Sequence, residues 1–474
     1  MDFYATCILC LSLPLLLLAF RKRRFAPHLL PGTKGWPIVG ETLEYMTAGR
    51  SGRPEKFVKD RAARHSSDVF RTNLYGADMA VFCGPSGNKF LFSSENKHVS
   101  PWWPDSMKKI FMFPEALGKL KNEDAKKRRS FMLEFLKPEA LRHYIPVMDS
   151  VTRDHLATDW SPHKEVRVFP LLKSYTLALA CRLFMNIRDP EIVRKFADPF
   201  ARVAPGFVTV PINIPGTPFN RAVEGGKVLR QELLDLVRRR KTEISEGKDA
   251  NARDFLSRLL LEGGDDGTAL YEMDASTKIM GLLNASHDTT STSITAIVNY
   301  LAQFPHVYER VHQEQLEIAR SKGLDEFLNW DDVQKMKYSW NVACESMRLL
   351  PPAQGAYRVA MTDFSFAGYT IPKGLKTFWT VHSTNKNPKY FPDPEKFDPS
   401  RFEGNGPAPF TYVPFGGGPH MCPGKEYARL EILVFMHNLV TKFKLMKVVP
   451  NEKFIYTPSP VPVEGLRIRL LPHN

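Results

Sequence analysis

Cysteine is scarce in this sequence: there are six in 474 residues, at Cys7, Cys10, Cys83, Cys181, Cys344 and Cys422, with no CxxC spacing clear of the apolar N-terminal run. So few thiols exclude a disulfide scaffold and fit a reducing compartment. Acid is short as well, since 51 Asp+Glu face 65 Lys+Arg, giving a formal charge of +14 and a pI near 9.4. Such an excess of base has three physical sources: nucleic acid, an anionic membrane surface or an acidic protein partner. Charge alone does not select among them. At 43% hydrophobic and 24% charged residues the composition is globular, which rules out a disordered or collagen-like chain. From Trp36 onward there is no internal repeat, no low-complexity tract and no second long apolar run, so residues 39–474 read as one unit.

What the sequence does hold begins at its N-terminus. Phe3 to Phe20 carry no charge and end at Arg21-Lys22-Arg23-Arg24. As a helix this run spans about 27 Å, close to the hydrocarbon thickness of a thin bilayer. A cleaved signal has its positive charge before the apolar run and a small-residue site after it, whereas here Asp2 precedes and the cations follow. Residues 1–24 are therefore expected to form a single transmembrane anchor with a basic flank, leaving the rest on the cytosolic face of the endoplasmic reticulum membrane. Residues 25–38, with Pro27, Pro31, Gly32, Gly35 and Pro37, read as a stiff hinge.

In the body, Asp149 to Ile187 and Val228 to Leu261 carry helical patterns, and Val81 to Phe92 is rich enough in Val, Phe and Gly for short strands. Pro205 to Gly216 is apolar but broken by prolines, and reads either as a buried loop or as a membrane-dipping substrate entrance. A long helix is expected over about Met273 to Phe304. The run Asn284 to Ser293 in its middle is a poor helix interior, because small hydroxyl side chains compete for backbone hydrogen bonds. Such a conflict marks a functional site or a satisfied polar kink.

The densest chemistry lies in Val413-Pro414-Phe415-Gly416-Gly417-Gly418-Pro419-His420-Met421-Cys422-Pro423-Gly424, ahead of a helical pattern from Lys425 to Val440. Three glycines let a backbone approach a flat object, and a thiol just before a helix N-terminus is favoured as thiolate. Phe415-x-x-Gly418-x-His420-x-Cys422-x-Gly424 resembles the haem-thiolate loop of the cytochromes P-450. Three further stretches match that family in the right order: Ala285-Ser286-His287-Asp288-Thr289-Thr290, Glu345-Ser346-Met347-Arg348 and Phe397-Asp398-Pro399-Ser400-Arg401-Phe402.

The resemblance implies a mainly α fold with small β-sheets behind the anchor, and a haem b whose iron is ligated by Cys422. Thiolate ligation favours O–O cleavage. It implies Asp288 and Thr289 as the proton-delivering pair, and a structural network of Glu345, Arg348 and Arg401, in which a carboxylate bridges two guanidinium groups. Arg129 and Arg358 fall where relatives reach the haem propionates. The sequence departs from the family at His420, usually Arg, at Ala125, often Trp or His, and at Ser286, usually Gly.

Within the family the chain resembles plant triterpenoid oxidases. This implies an apolar pentacyclic triterpene substrate oxidised at a methyl group, in steps as far as a carboxylic acid, with O2 and with NADPH electrons delivered by a reductase. The expected pocket comprises Trp102, Met107, Val208, Leu283, Ser286, His287, Gln354, Ala356, Tyr357 and Val461, and the expected reductase face carries Lys126, Lys127, Arg128, Lys425 and Arg429. Taxane diterpenoid or steroid hydroxylation is an alternative, as is a haem-thiolate isomerase that uses no dioxygen. A basic nucleic-acid-binding or haem-sensing protein is a reading from another class, but the sequence has no basic tract interleaved with stacking aromatics, and no nucleic acid is expected as a partner.

Overall fold

The computed structural model describes residues 30–37, 39–116, 131–207, 209–248, 254–262, 269–323 and 325–473. The expected anchor, residues 25–29 and 38 of the hinge, Cys7, Cys10, Ala125, Lys126, Lys127, Arg128, Arg129 and Val208 lie outside them.

Helices α1 (Thr42–Arg50) and α2 (Glu55–Arg64) lead into β1 (Val69–Leu74), β2 (Ala77–Phe82), α3 (Gly84–Ser93), β3 (Val99–Pro101) and α4 (Asp105–Phe111). Next come α5 (Pro138–His155), β4 (Glu165–Arg167), α6 (Val168–Met185), α7 (Pro190–Val203), α8 (Pro218–Ser245) and α9 (Phe255–Glu262). After these follow α10 (Ala269–Gln303), α11 (Pro305–Arg320), α12 (Trp330–Lys335) and α13 (Lys337–Leu349). Strands β5 (Gly355–Ala360), β6 (Phe364–Phe366), β7 (Tyr369–Ile371) and β8 (Lys376–Thr380) precede a long irregular stretch. Helix α14 (Lys425–Lys442) and strands β9 (Phe443–Lys447), β10 (Phe454–Tyr456), β11 (Pro460–Pro462) and β12 (Arg467–Pro472) complete the order. The expected mainly helical architecture with small sheets is what the chain adopts.

The largest sheet has the order β1-β2-β8-β5-β3, with β2 and β8 parallel and the other neighbours antiparallel. Its β5–β3 register sets Arg358 opposite Pro101. Residues 84–93 are helical rather than extended. Pro85 pre-sets the first turn, and Gly84, Gly87, Asn88, Leu91 and Phe92 fall on one buried face at helical spacing. The helical pattern from Val228 to Leu261 is divided: Gly247, at φ +70°, donates its N–H to the Ile244 carbonyl and the next N–H, of Lys248, reaches Glu243, which caps α8. Asp149 to Ile187 is likewise divided by a π-helical turn at Leu156–Trp160 and by β4, which pairs with β12.

Helix α6 is long and apolar enough to cross a membrane by length and composition, contrary to the expectation of no second apolar run. It is a core helix instead: Leu172, Tyr175, Leu179, Ala180 and Cys181 are fully buried, and it packs along α10. The buried-loop reading of Pro205 to Gly216 fails at Ile212 and Ile214, which are 46% and 59% exposed. Helix α14 is buried on all sides from Leu430 to Val440. Each of its Ile, Leu, Val and Phe side chains contributes about 1.5–3 kcal/mol by burial, so the segment after Cys422 is fixed into the centre of the molecule.

Candidate active site

The loop before α14 is folded by its own backbone. Cys422 N–H donates to the Phe415 carbonyl at 2.9 Å, Gly416 N–H to Val413 at 3.0 Å and Met421 N–H to Gly418 at 3.0 Å. Gly418, at φ +68°, sits so close to the end of α3 that a Cβ there would lie 2.4 Å from the Phe92 carbonyl oxygen. A Cβ on Gly417 would meet the Phe92 ring at 2.5 Å. The glycines are therefore required for the loop to seat on α3. At Gly424 a Cβ would make an ordinary 3.8 Å contact with Cys422 Sγ, so close packing does not explain that residue.

Cys422 is the exposed cysteine among the described residues; Cys83, Cys181 and Cys344 are buried. Burial pushes the thiols of those three up to about 12, so they are inert packing groups.

On α10 the hydroxyl-rich run is satisfied inside the helix. Ser286 donates to the Leu282 carbonyl at 3.0 Å, Thr289 to Ala285 at 2.7 Å, Thr292 to Asp288 at 2.9 Å and Ser293 to Thr289 at 2.9 Å. Asp288 turns towards α6, where Lys173 donates to Oδ1, while Ser459, between β10 and β11, donates to Oδ2 at 3.2 Å. Burial acts to raise the Asp288 pKa, but the Lys173 charge and hydrogen bond, His287 and Ser459 together hold it below the ordinary value of 3.8. Lys173 was not foreseen from the sequence; its signal was a lone cation in the otherwise apolar first half of α6. His287 is buried against Thr176 of α6, with its Nδ1 3.1 Å from Oγ1, and its ring faces Phe200 of α7. Burial, then the charge on Lys173, lowers its pKa to about 3.

Arg348 uses every donor it has. Nε and Nη2 form a fork on the Glu345 carboxylate at 2.6 and 2.7 Å, and the remaining N–H groups reach the carbonyls of Asn385, Pro394 and Lys396. Both side chains are fully buried. The carboxylate also accepts the Asp398 N–H at 2.9 Å, and Arg401 Nε stands 3.5 Å from it while Nη2 donates to Asp393. The three expected network residues thus come together and tie α13 to the irregular stretch before the Cys422 loop.

Arg358 is buried and paired with Glu95, which follows α3. The other oxygen of Glu95 accepts the His420 backbone N–H at 2.8 Å. Glu95 carried no sequence signal.

Among the expected pocket residues, Trp102 and Tyr357 meet edge to face at 5.9 Å, Ala356 neighbours Tyr357 on β5, Leu283 is fully buried on α10, and Met107 packs against the same core. Val461 lies on β11. Gln354 lines a cavity of about 110 Å³ with Tyr45, Pro205, Thr209 and Tyr456. Its Oε1 accepts from Tyr45 at 2.9 Å, and His382 stands 3.2 Å away.

A glycine-seated cysteine loop feeding a core helix, a long hydroxyl-rich helix beside it and a buried Glu-Arg-Arg network define a class, and the chain belongs to the cytochrome P-450 family, whose profile matches residues 30–460. It is a haem-thiolate monooxygenase that works with O2 and reductase-derived electrons. The chain is 53% identical to a beta-amyrin 28-monooxygenase of Solanum lycopersicum, over 100% of this chain and 99% of that one. It is 54% identical to a beta-amyrin 28-monooxygenase of Vitis vinifera, over 99% and 98%. A beta-amyrin 6-beta-monooxygenase of Solanum lycopersicum is 56% identical over 93% and 92%. Among solved structures, the retinoic acid-bound cyanobacterial CYP120A1 superposes with a TM-score of 0.81 at 31% identity, covering 94% of this chain and 99% of that one.

Proposed function

We propose that this enzyme oxidises a pentacyclic triterpene of the beta-amyrin type, at the C-28 methyl group, with Cys422 as the iron ligand. The residues fit the haem that the family carries: an exposed thiol three residues ahead of a buried helix, a loop whose glycines let it seat closely on α3, and the buried guanidinium of Arg358. The observation that carries the ligand assignment is the contrast between exposed Cys422 and the three buried, inert thiols. Haem, when bound, supplies the family's dioxygen activation.

The chain's own groups then have separate tasks. The Thr289 hydroxyl is committed as a donor to Ala285, so it presents lone pairs and accepts a hydrogen bond. Asp288 is held ionised at rest by Lys173 and takes up a proton at its carboxylate only when that contact opens. Glu345, Arg348 and Arg401 hold the cysteine loop's approach, and Arg358 addresses a propionate. The apolar side chains around Trp102, Leu283 and Tyr357 bind the substrate by shape. Residues 1–24 anchor the enzyme in the endoplasmic reticulum membrane with the catalytic body cytosolic, and a basic face receives the reductase.

Relatives of two regiochemistries match at nearly equal identity, so the attacked carbon is the point to test. Co-expression with a plant reductase in a host supplied with several triterpene skeletons, followed by product mass spectrometry, is expected to give a C-28 alcohol, aldehyde or acid. A 6-beta alcohol would overturn the position, and no product from any cyclic triterpene would overturn the substrate class. Retention of the thiolate-type band of the reduced carbon monoxide complex in Cys422→Ser would overturn the ligand assignment.

A further inference from the structure

Glu95 links Arg358 of β5 to the cysteine loop. Its side chain is fully buried and its two oxygens accept from two different partners. Oε1 takes Arg358 through Nε at 2.7 Å and through Nη2, and Oε2 takes the His420 backbone N–H at 2.8 Å. Arg358 Nη1 donates to the Tyr357 carbonyl at 2.9 Å. A guanidinium has five N–H groups, so each terminal nitrogen of Arg358 keeps one N–H beyond these bonds.

Glu95 is itself rigidly delivered. The Ser94 carbonyl accepts N–H groups from Lys97, His98 and Val99 at 3.1, 2.9 and 3.2 Å, and Asn96 turns the chain at φ +62°. One turn earlier in the sequence, Phe92 is the surface on which Gly417 and Gly418 seat. The segment 92–95 therefore grips the cysteine loop twice, once by shape and once by a charge-assisted hydrogen bond.

We propose that Glu95 is a positioning residue for haem. One oxygen fixes Arg358 so that its two remaining N–H groups address a propionate, and the other fixes the loop so that the Cys422 sulfur faces the iron. The proposal rests on the reading of Cys422 as ligand. A carboxylate that merely neutralised a buried arginine would have no need of the second bond to the loop. Outer-shell partners of this kind change metal or cofactor retention by roughly 10–100-fold when removed.

The test uses full-length holoenzyme. Glu95→Gln, nearly isosteric, is compared with wild type, Arg358→Met and the double variant, by the rate of haem transfer to excess apomyoglobin, the reduction potential and the thiolate-type share of the reduced carbon monoxide spectrum. The expected result is haem transfer faster by roughly tenfold or more, a higher potential because a negative charge beside haem is gone, and a smaller thiolate share. The double variant should lose haem no faster than Arg358→Met by more than the loop bond accounts for, so the two effects fall short of multiplying. Unchanged transfer rate and potential in Glu95→Gln would overturn the proposal, as would a loss of thermal stability with both unchanged, or effects that multiply fully. Glu95→Asp, which keeps the charge but withdraws it, is expected to restore the potential more than the transfer rate. Cys422→Ser, in which the thiolate band alone is read, separates failure of the ligand reading from failure of this one.

Discussion

Lys173 and Asp288 form an ion pair between α6 and α10, at the position where the long helix carries its most polar residues. The pair is largely buried, with side-chain exposures of 25% and 15%. Removing one partner from such a pair leaves the other charge poorly solvated, which costs several kcal/mol in a dry interior and less where water reaches it. The pair therefore holds Asp288 as a carboxylate.

Lys173→Met is expected to destabilise the protein by about 2 kcal/mol at neutral pH and to alter its acid response. The folded pKa of Asp288 is depressed, so its contribution to stability is fully present above the ordinary carboxylate range. That contribution is lost as pH falls through the depressed value. Without Lys173 this acid loss shrinks, because burial then acts on the carboxyl with little opposing charge and raises its folded pKa. Urea denaturation followed between pH 6 and 3 measures this, and identical curves for both proteins would refute it.

Arg348→Lys tests whether the fork or only the charge matters. Lysine offers three donors in place of five, so at least two of the Glu345, Asn385, Pro394 and Lys396 oxygens lose their partner in a fully buried site. A loss of about 3 kcal/mol or more is expected, seen as low holoenzyme yield and an early denaturation midpoint. A midpoint like that of wild type would show that charge alone suffices.

Besides His287, two further buried histidines bear on the acid stability of the fold. Burial lowers His382 to about 3 and His437 to about 4, both below the ordinary 6.5. The unfolded chain binds these protons first, so stability is full above pH 6.5 and falls progressively towards the folded values, by about 1.4 kcal/mol per pH unit for each histidine. His437 Nδ1 stands 2.8 Å from Gln315 Oε1, so the neutral ring donates there. His437→Gln is expected to shallow the slope of stability between pH 6 and 5 by about that amount. An unchanged slope would mean that the ring is already charged or exposed in the native state.

The site was legible in the sequence where chemistry is local. The loop from Phe415 to Gly424 stood out because glycines, a thiol and a helix start are contiguous, although only the family resemblance gave the thiol a task, and Glu345 with Arg348 because residues three apart on a helix share a face. Lys173 and Glu95 were not legible, since each meets its partner across more than a hundred residues of chain. A lone lysine in an apolar helix hints at a buried partner but does not name it. The strand reading of Val81 to Phe92 held at Val81 and Phe82, the end of β2, and failed from Gly84 onward because Gly, Phe and Leu suit either a buried strand or one face of a helix, and Pro85 was the deciding residue.

The glycines of the cysteine loop give the sharpest steric prediction. At Gly418 an added Cβ faces a backbone oxygen that cannot rotate away and also requires a left-handed backbone conformation. At Gly417 the obstacle is the Phe92 ring, a side chain that can be made smaller. Gly417→Ala should therefore lose thiolate-type haem and regain much of it in combination with Phe92→Val, whereas Gly418→Ala should lose it in either background. The reduced carbon monoxide spectrum reads both. Equal rescue of the two variants would mean that the loop seats on α3 through the Phe92 ring alone. No rescue of Gly417→Ala would mean that the ring itself, rather than the space it fills, holds the loop in place.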